Sequence, residues 1–339
     1  MKILILSGIG RTANELSLFC DRAFRSLGHE TERAVYNDRR LSARLPLVAG
    51  VETAYSRRRL GRLISTFSPD FILAVKVDLL SGTAIESIRD EFGVPMANYW
   101  IDDPHYLDVS RKLSPYYDIF FTNARQCVDL HGDGGSPNPC FLSFGYDPAT
   151  HRPLTLSEEE AKHYSSDLCF SGTITPERLC VLERLAEFDL KIWSPPIVTV
   201  LGENYQIVSR KVPESSPAYS RFTGEPVWGE QMVKAFNASK IVLNLHTQDT
   251  ATMRDFEAPA CGAFLLSDYV AELENQYCLG EEIACFRNDD EAVEMASMFL
   301  DDAERRKEIA AAGHRRVIGN YSYAARMQEA LAAIEEIRR

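Results

Sequence analysis

Short apolar runs alternate with amphipathic stretches over the first 150 residues of the chain. Runs bounded by polar residues or glycine predict buried strands at 2–7, 32–36, 70–76, 95–102 and 118–123. Between them, apolar positions recur with helical spacing in 15–28, 55–67 and 83–93. Strands separated by helices of this length build a parallel sheet. The pattern therefore predicts a Rossmann-like domain over residues 1–150.

The same pattern starts again after a polar, proline-bearing segment at 147–167, which we interpret as a linker. Further strands are predicted at 168–173, 190–193, 240–246 and 263–268, with helices between most of them. An insertion at about 194–229 shows no clear periodicity, and the tail from Asp289 is helical with a break at 319–323. The fold class is therefore α/β, with a second Rossmann-like domain over 151–322 and a terminal helix over 323–339.

Composition narrows the function more than the fold. The 339 residues suffice for two domains, and their net charge of −12 argues against a general nucleic-acid partner. The charge is uneven, since residues 1–150 hold 17 basic against 18 acidic side chains and the remainder hold 20 against 31. No apolar run reaches the roughly 18 residues of a transmembrane segment. Eight scattered cysteines without a C-x-x-C pair favour a reduced, cytoplasmic protein without a zinc site.

Two glycines follow the first predicted strand. Gly8 and Gly10, with Ala13, fit the G-x-G-x-x-A spacing of dinucleotide-binding loops. The acid that such loops place about 20 positions later has no clear counterpart, because Asp38 lies beyond the second strand. A nicotinamide or flavin site, a plain tight turn and a glycine loop that lines an interdomain cleft all remain open, and we favour the last.

Three polar residues follow the strand at 95–102. Asp102, Asp103 and His105 meet at its end, and Pro104 prevents a helix from starting at once. Ligands of parallel sheets bind at this edge, so these side chains are candidates for acid–base chemistry on a hydroxyl. The alternative is that Asp102 or Asp103 only caps the next turn. The adjacent acids do not form a D-x-D metal motif.

Small residues also follow the strand at 168–173. Ser171, Gly172 and Thr173 leave backbone N–H groups accessible before a helix, and Arg178 lies in its first turn. An arginine can bind two phosphate oxygens at once, so this turn has the outline of a pyrophosphate site. The alternative is an ordinary strand-to-helix turn with a solvated arginine.

A carboxylate, Glu257, lies in the small-residue segment RDFEAPACG at 254–262. The segment follows a strand that ends at His246, and Gly262 is the expected terminator of a short helix. An acid at this edge can accept the hydroxyls of a ribose; alternatively it only favours a helix N-terminus. His246 is either catalytic or simply ends its strand. Trp193 either borders a nucleobase or belongs to the core.

These segments carry a family resemblance. RDFEAPACGAFLLSD resembles the E-A-x-A-C-G region of glycosyltransferases with two facing Rossmann domains, the GT-B architecture. Retaining family-4 members have two glutamates eight residues apart; Glu257 matches the second, and Asp249 stands in place of the first. Over nearly its whole length the chain is similar to the CgeB-like (spore maturation protein) glycosyltransferases. The similarity lies in WIDDPH, CFSGT, NASKIVLNLH, RDFEAPACGA and AERRKEIAAAGHRRVIGNYSYAARM.

The resemblance implies a hexosyltransferase-type enzyme that moves a sugar from a UDP-, GDP- or dTDP-linked donor to the hydroxyl of a glycan, lipid, protein or small molecule. Glu257 would bind the donor ribose, and Arg178 with the Gly172 turn would lie near the diphosphate. Arg254 is a further phosphate or sugar ligand, and Asp249 and His246 complete the donor-site candidates. No metal ion or other cofactor is expected, because such enzymes stabilise the leaving diphosphate with helix ends and basic residues.

The resemblance also implies an acceptor site in the first domain, which faces the second across a cleft. Asp103 or His105 would act on the acceptor hydroxyl, and the last helix would pack back on the first domain. Three other functions stay open: a nucleotide-sugar epimerase, a non-catalytic nucleotide- or carbohydrate-binding module, and a dinucleotide oxidoreductase that uses the first glycine loop.

Overall fold

The computed structural model of the protein describes residues 1–36, 49–77, 80–201 and 207–337. The chain divides into two compact units, of which unit 1 comprises residues 1–144 with the helix from Tyr323, and unit 2 comprises Gly145–Ser322. Asp38 lies outside the described residues. Each unit contains a parallel sheet flanked by helices, which confirms the predicted α/β class with two Rossmann-like sheets.

The first 144 residues alternate strands and helices. In chain order the elements are β1 Lys2–Ser7, α1 Arg11–Ser26, β2 Glu30–Val35, α2 Ala49–Phe67, β3 Phe71–Val75, α3 Gly82–Phe92, β4 Met96–Trp100, α4 Leu107–Leu113, β5 Ile119–Thr122, α5 Val128–Asp133 and β6 Pro139–Phe141. All six strands are parallel, in the order β2-β1-β3-β4-β5-β6. Every residue of β3, β4 and β5 is buried, because helices cover both faces of such a sheet.

Unit 2 and the closing helix supply the remaining elements. These are α6 Glu158–Tyr164, β7 Ser166–Phe170, α7 Pro176–Arg184, β8 Leu190–Ile192, β9 Ile197–Leu201, β10 Ile207–Lys211, α8 Gly229–Ala238, β11 Ser239–Asn244, α9 Arg254–Ala260, β12 Leu265–Asp268, β13 Ala284–Phe286, α10 Asp289–Asp301, α11 Ala303–Asn320 and α12 Tyr323–Ile337. Five strands form a parallel sheet in the order β8-β7-β11-β12-β13, and β9 and β10 form a separate antiparallel hairpin.

The strand order reverses at one point in each parallel sheet. In unit 1 the chain places β2 on one side of β1 and β3 on the other; in unit 2 it places β8 and β11 on the two sides of β7. The loops that leave the two neighbouring strands then run to opposite faces and open a crevice at their carboxyl ends. The topology therefore directs attention to the ends of β1 and β3, and to those of β7 and β11.

The last helix belongs to unit 1. Its buried residues Tyr323, Met327, Ala330 and Ile334 recur with helical spacing, and Tyr323 stacks on Phe19 of α1 with ring centroids 5.5 Å apart. The apolar stripe of α12 is therefore packed within unit 1. None of the helices in the described ranges combines the length and the apolar character needed to cross a bilayer.

The structure differs from the sequence prediction at several elements, including the short helices α4 and α5, which were not predicted. Strands β6 and β13 were not predicted, because three residues are too few to show a periodicity. The unpatterned insertion contains the β9–β10 hairpin. The segment interpreted as a linker contains α6, with a full capping box at Ser157, and buries His151, so it is part of the packed unit 2.

Candidate functional site

The crevice at the end of β7 is spanned by an arginine. Arg178 lies in the first turn of α7, where the Thr175 hydroxyl caps the helix by accepting from the Arg178 backbone N–H at 3.3 Å. Its Nε donates to the Leu245 carbonyl beyond β11 at 2.7 Å, and its Nη1 donates to the Thr173 carbonyl at 2.7 Å. The side chain thus connects the two strand ends that flank the reversal point.

Gly172 lies beside this arginine. A Cβ at that position would make a tight contact of 3.2 Å with the Phe170 ring and an ordinary contact of 3.6 Å with Arg178 Nη1. Burial is the largest influence on the guanidinium and lowers the pKa of Arg178 to about 10; Asp268 opposes the shift, and the like charge of Arg254 adds to it. Arg178 therefore stays cationic at neutral pH beside a second cation.

A cavity of about 250 Å³ lies beside this loop. Ser171, Gly172 and Thr173 line it together with Arg254. The rest of the lining comes from Ile174, from residues after β8, from the hairpin and from the segment before α8, namely Trp193, Ser194, Pro195, Ile197, Thr199, Pro226, Val227 and Trp228. The lining therefore combines a cation and backbone groups with aromatic and apolar side chains.

Four hydroxyl groups line the cavity without a hydrogen-bond partner in the part of the chain that the structure describes. They belong to Ser171, Thr173, Ser194 and Thr199. Each hydroxyl is one donor and two acceptor sites. Ser194 is only 7% exposed, so its hydroxyl depends on the cavity for a partner. A ligand with several polar atoms is the natural occupant of such a space.

Arg254 brings a guanidinium to the cavity wall. Its Nη1 lies 2.7 Å from Glu257 Oε2 and 2.7 Å from Met232 Sδ, and its Nη2 donates to the Ser171 carbonyl at 3.2 Å. The Phe236 ring lies beneath it, 4.9 Å from the guanidinium carbon. These contacts fix the orientation of the guanidinium. They also explain the spacing of three residues between Arg254 and Glu257, because the two side chains form an ion pair.

Glu257 is held inside unit 2, behind Arg254. Its side chain is 6% exposed and does not line the cavity. Burial raises the pKa of Glu257, and the charge of Arg254 opposes that shift. The second carboxylate oxygen lies 3.5 Å from His151 Nε2. His151 Nδ1 accepts from the Asp147 backbone N–H at 3.0 Å, so in the neutral ring Nε2 carries the proton that points to Glu257.

His246 forms a buried ion cluster next to the site. Its Nδ1 lies 2.6 Å from Asp268 Oδ1, and its Nε2 lies 2.9 Å from Asp255 Oδ2. Burial opposes protonation, but the charges and hydrogen bonds of the two carboxylates outweigh it and raise the pKa of His246 to about 10. Burial likewise opposes the charge of Asp255, and the histidine outweighs it and lowers the Asp255 pKa. Both ring nitrogens are engaged, which favours the interpretation that His246 secures the end of its strand.

The other predicted donor residue lies apart from the cavity lining. Asp249 is exposed and accepts from the Ala271 backbone N–H at 3.3 Å. Within the described ranges, no three His, Cys, Asp or Glu side chains are grouped so that they could hold a metal ion.

In unit 1, Asp103 is enclosed by its neighbours. Its carboxylate accepts from the hydroxyls of Ser110 at 2.6 Å and Thr122 at 2.7 Å, and it lies 2.8 Å from His131 Nε2. The side chains of Asp103 and His131 are fully buried. This network ties α4, β5 and α5 to the end of β4, and it favours the interpretation of Asp103 as a structural acid.

The two neighbours of Asp103 are more accessible. Asp102 forms an ion pair with Lys76 Nζ at 2.5 Å, at the end of β3. His105 is half-buried, with its ring edge-on to Tyr106 at 4.8 Å. Asp102, Asp103 and His105 are thus adjacent in sequence but differ in environment, and their predicted roles in catalysis stay predictions.

The first glycine loop is packed against the end of β3. A Cβ on Gly8 would lie 1.8 Å from the Lys76 carbonyl oxygen, and the Gly8 backbone N–H donates to the Val75 carbonyl at 2.9 Å. Gly10 has a φ of 123°, which favours glycine, and nothing lies within 4 Å of its would-be Cβ. Close backbone packing therefore requires a glycine at position 8. The backbone conformation requires a glycine at position 10.

Comparison with known proteins places this geometry in context. Residues 177–332 match a family model described as glycosyl transferase-like, which covers most of unit 2 and α12. No curated protein matches the chain by sequence.

Solved structures resemble the chain over its whole length. HepE from Anabaena in complex with UDP and glucose has a TM-score of 0.65 at 14% identity, covering 99% of this chain and 100% of that one. Sucrose-phosphate synthase from Thermosynechococcus elongatus has a TM-score of 0.67 at 10% identity, with coverage of 100% and 99%. A glycosyltransferase from Rickettsia africae has a TM-score of 0.69 at 10% identity, with coverage of 100% and 98%. The fold is that of GT-B glycosyltransferases.

Several residues of the site were not predicted from the sequence. His151 lies in the presumed linker, Asp255 lies between two residues that were singled out, and Ser194 and Thr199 lie in the unpatterned insertion. The position of Ser194 just after β8 is the only available signal for it, because ligand residues follow strands in this type of sheet. Thr199 lies in the run IVTVL at 197–201, which is followed by a glycine and by a second run rich in β-branched residues, IVSRK at 207–211, and this hairpin signal was overlooked.

Proposed function

We propose that the protein transfers a sugar from a nucleotide-linked donor to an acceptor hydroxyl, and that unit 2 binds the donor. The observation that carries this proposal is the cavity at the reversal point of unit 2, where a fixed guanidinium lies beside four unpartnered hydroxyls. The fold of GT-B glycosyltransferases and the family match over 177–332 support it, and HepE with bound UDP has the same fold.

In this proposal the donor diphosphate lies beside the cation of the cavity lining. Arg254 is that cation, and Arg178 stands behind the Gly172 turn with Nη2 free of partners among the described residues. Two neighbouring cations, of which one already has a lowered pKa, are stabilised by an anion that binds both.

The chemistry needs negative charge to be stabilised as the donor breaks. The bond between the sugar C1 and the diphosphate oxygen cleaves, the C1–acceptor oxygen bond forms, and the acceptor hydroxyl loses its proton. We infer that Arg254 and Arg178, rather than a metal ion, stabilise the leaving diphosphate, since preorganised donors are well suited to that task. Activity that persists in EDTA is the expected outcome.

Glu257 contributes to donor binding through Arg254 in this proposal, and the ribose contact that the resemblance implies is the alternative. The ion pair at 2.7 Å supports the first contribution. The two contributions differ in one measurable respect: Glu257→Gln lowers affinity for a nucleoside diphosphate and for pyrophosphate equally if it acts only through Arg254. A ribose contact lowers the affinity for the nucleoside diphosphate alone.

The acceptor is activated in this proposal by His105 or Asp102, the more accessible pair of the unit 1 candidates. Asp103 then serves them by holding the loop, through its bonds to Ser110 and Thr122.

Thermal unfolding of the full chain with UDP, GDP, dTDP and pyrophosphate tests the proposal. We expect at least one nucleoside diphosphate to raise the melting temperature, and Arg254→Met to abolish the shift. The corresponding sugar nucleotide should then release nucleoside diphosphate faster with a matching acceptor, as measured by a coupled assay. The proposal is overturned if none of the four compounds stabilises the wild type. It is also overturned if a nucleoside diphosphate stabilises Arg254→Met as much as it stabilises the wild type. Conversion of the sugar without an acceptor would assign an epimerase instead.

A further inference from the structure

We propose that the β9–β10 hairpin and Ser194 form a wall that selects the base of the nucleotide, with Thr199 and Ser194 as the specificity-determining residues. This inference rests on the proposed function and concerns the part of the cavity lining outside the turn at 171–173 and Arg254. The ligand class is a planar heteroaromatic base with hydrogen-bonding edge atoms.

The alternation of side chains along β9 determines which of them face the cavity. Val198 lies in the core of unit 2 and Val200 packs against that core, so Ile197 and Thr199 point to the opposite side, which is the cavity. The Thr199 backbone N–H donates to the Ile174 carbonyl at 2.7 Å, which attaches the strand to the loop after β7. Thr199 is therefore held at a constant distance from the phosphate-binding turn.

Ser194 is positioned just as firmly. Its backbone N–H donates to the Ile192 carbonyl at 2.9 Å, and its carbonyl accepts from Gly224 N–H at 3.3 Å. The hydroxyl has no partner among the described residues, although the residue is 7% exposed. The hydroxyl lines the cavity and is free to donate to or accept from a ligand bound there.

The surfaces between these hydroxyls suit a base better than a sugar ring. Trp193, packed at 5.3 Å against Tyr164, and Trp228 both line the cavity. Flat aromatic surfaces bind the faces of bases by stacking, whereas hydroxyls can donate to or accept from the base edge. The turn at 171–173 and Arg254 line the same cavity, so one ligand can contact the diphosphate-binding residues and this wall.

Isothermal titration calorimetry of the full chain tests the wall. Thr199→Val keeps the shape of the side chain and removes the hydroxyl, and Ser194→Ala does the same at the second position. We expect each change to weaken the preferred nucleoside diphosphate about three- to tenfold, to alter the ranking among UDP, GDP and dTDP, and to leave pyrophosphate unchanged.

Ser209→Ala is the matched control, because Ser209 lies directly opposite Thr199 on β10 but is exposed and outside the cavity lining. The inference is wrong if nucleoside diphosphates bind the wild type and both wall variants behave as this control does. It is also wrong if Thr199→Val changes the affinity for sugar nucleotides but not for the free diphosphates, which would place a sugar at this wall. A wild type that binds no nucleoside diphosphate overturns the proposed function itself, and the inference with it.

Discussion

In both units the strand order reverses at one point, but the space beside that point is filled by backbone in unit 1 and is open in unit 2. In unit 1 the loop after β1 lies on the end of β3 so closely that Gly8 has no room for a Cβ beside the Lys76 carbonyl. In unit 2 the corresponding loop, at Gly172, leaves a cavity of about 250 Å³ with Arg254 on its wall. The strand order creates a crevice in both, but the residues after the strands decide whether backbone or ligand fills it.

The charged side chains at the two reversal points also differ. At the end of β3 in unit 1, Lys76 is neutralised by Asp102 at 2.5 Å. In unit 2, Arg178 is bound by carbonyl groups rather than by a carboxylate, and its pKa is lowered to about 10 by burial with a further contribution from Arg254. Arg254, which lines the cavity, forms an ion pair with Glu257 at 2.7 Å, so the two units differ in the second cation, Arg178, and in the open space beside Arg254. The comparison teaches that the same topology occurs twice, and under the proposed function only unit 2 binds the diphosphate.

The largest expected effect concerns the stability of unit 2 at alkaline pH. The pKa of His246 is about 10 in the folded protein and near 6.5 when unfolded, so its contribution is complete below pH 6.5 and is lost as pH rises to 10. The loss is on the order of 5 kcal/mol. Urea unfolding monitored at pH 6, 8 and 10 measures it. His246→Gln should flatten this dependence, and an equally steep curve in that variant would contradict the assignment.

The second-largest effect is expected from a side chain at position 8, where the loop after β1 packs on the end of β3. Gly8→Ala places a methyl group on the Lys76 carbonyl and should destabilise unit 1 by about 3 kcal/mol. Gly10→Ala is the control, since its Cβ meets nothing within 4 Å and only the φ of 123° is strained. Denaturation with urea, followed by fluorescence, compares the two. Equal losses would show that conformation, rather than packing, fixes this loop.

The third prediction concerns the removal of Arg254, the cation that lines the cavity of unit 2. Arg254→Met should weaken nucleoside diphosphate binding about 10- to 100-fold, because charge-assisted hydrogen bonds are lost. Glu257→Gln is combined with it in a double variant, so that no buried carboxylate is left unpaired. Calorimetric titration gives the dissociation constants. Arg184→Met is the control, because Arg184 pairs with Asp290 on the exposed side of α7. A loss of the same size in the control would remove the special role of Arg254.

The smallest effect is expected at Lys76. Lys76→Met breaks a partly exposed ion pair with Asp102 and should cost less than about 1 kcal/mol. Nucleoside diphosphate affinity should stay the same. If titration shows a clear loss of affinity, the anion site extends to unit 1 and the contrast between the reversal points disappears.

The fold was largely predictable because its signal is repeated. Buried strands β1, β3, β4 and β11 have continuous apolar sequences, and the helices between them have clear spacing. The hairpin was missed because the insertion was judged as a whole, and the contact that attaches β9 to Ile174 is tertiary and leaves no mark in the sequence. Strands of three residues, such as β13, carry too few positions to be recognised.

The site was predictable at the level of segments rather than roles. The turn at 171–173, Arg178 and Arg254 were singled out from their positions after strands, and the structure brings them together at one crevice. Glu257 was expected to face a ligand directly, whereas its carboxylate is shared between Arg254 and His151. Sequence spacing gives the element on which an acid lies, but the partner that binds it comes from a segment 106 residues earlier, at His151, and is fixed only by packing.

A crystal structure of the full chain with the nucleoside diphosphate that stabilises it most would test the central claim directly. The account predicts phosphate oxygens within hydrogen-bonding distance of Arg254 and of the backbone at 171–173, with the base between Trp228 and Thr199. A diphosphate bound elsewhere in the chain, with this cavity filled only by solvent, would contradict it.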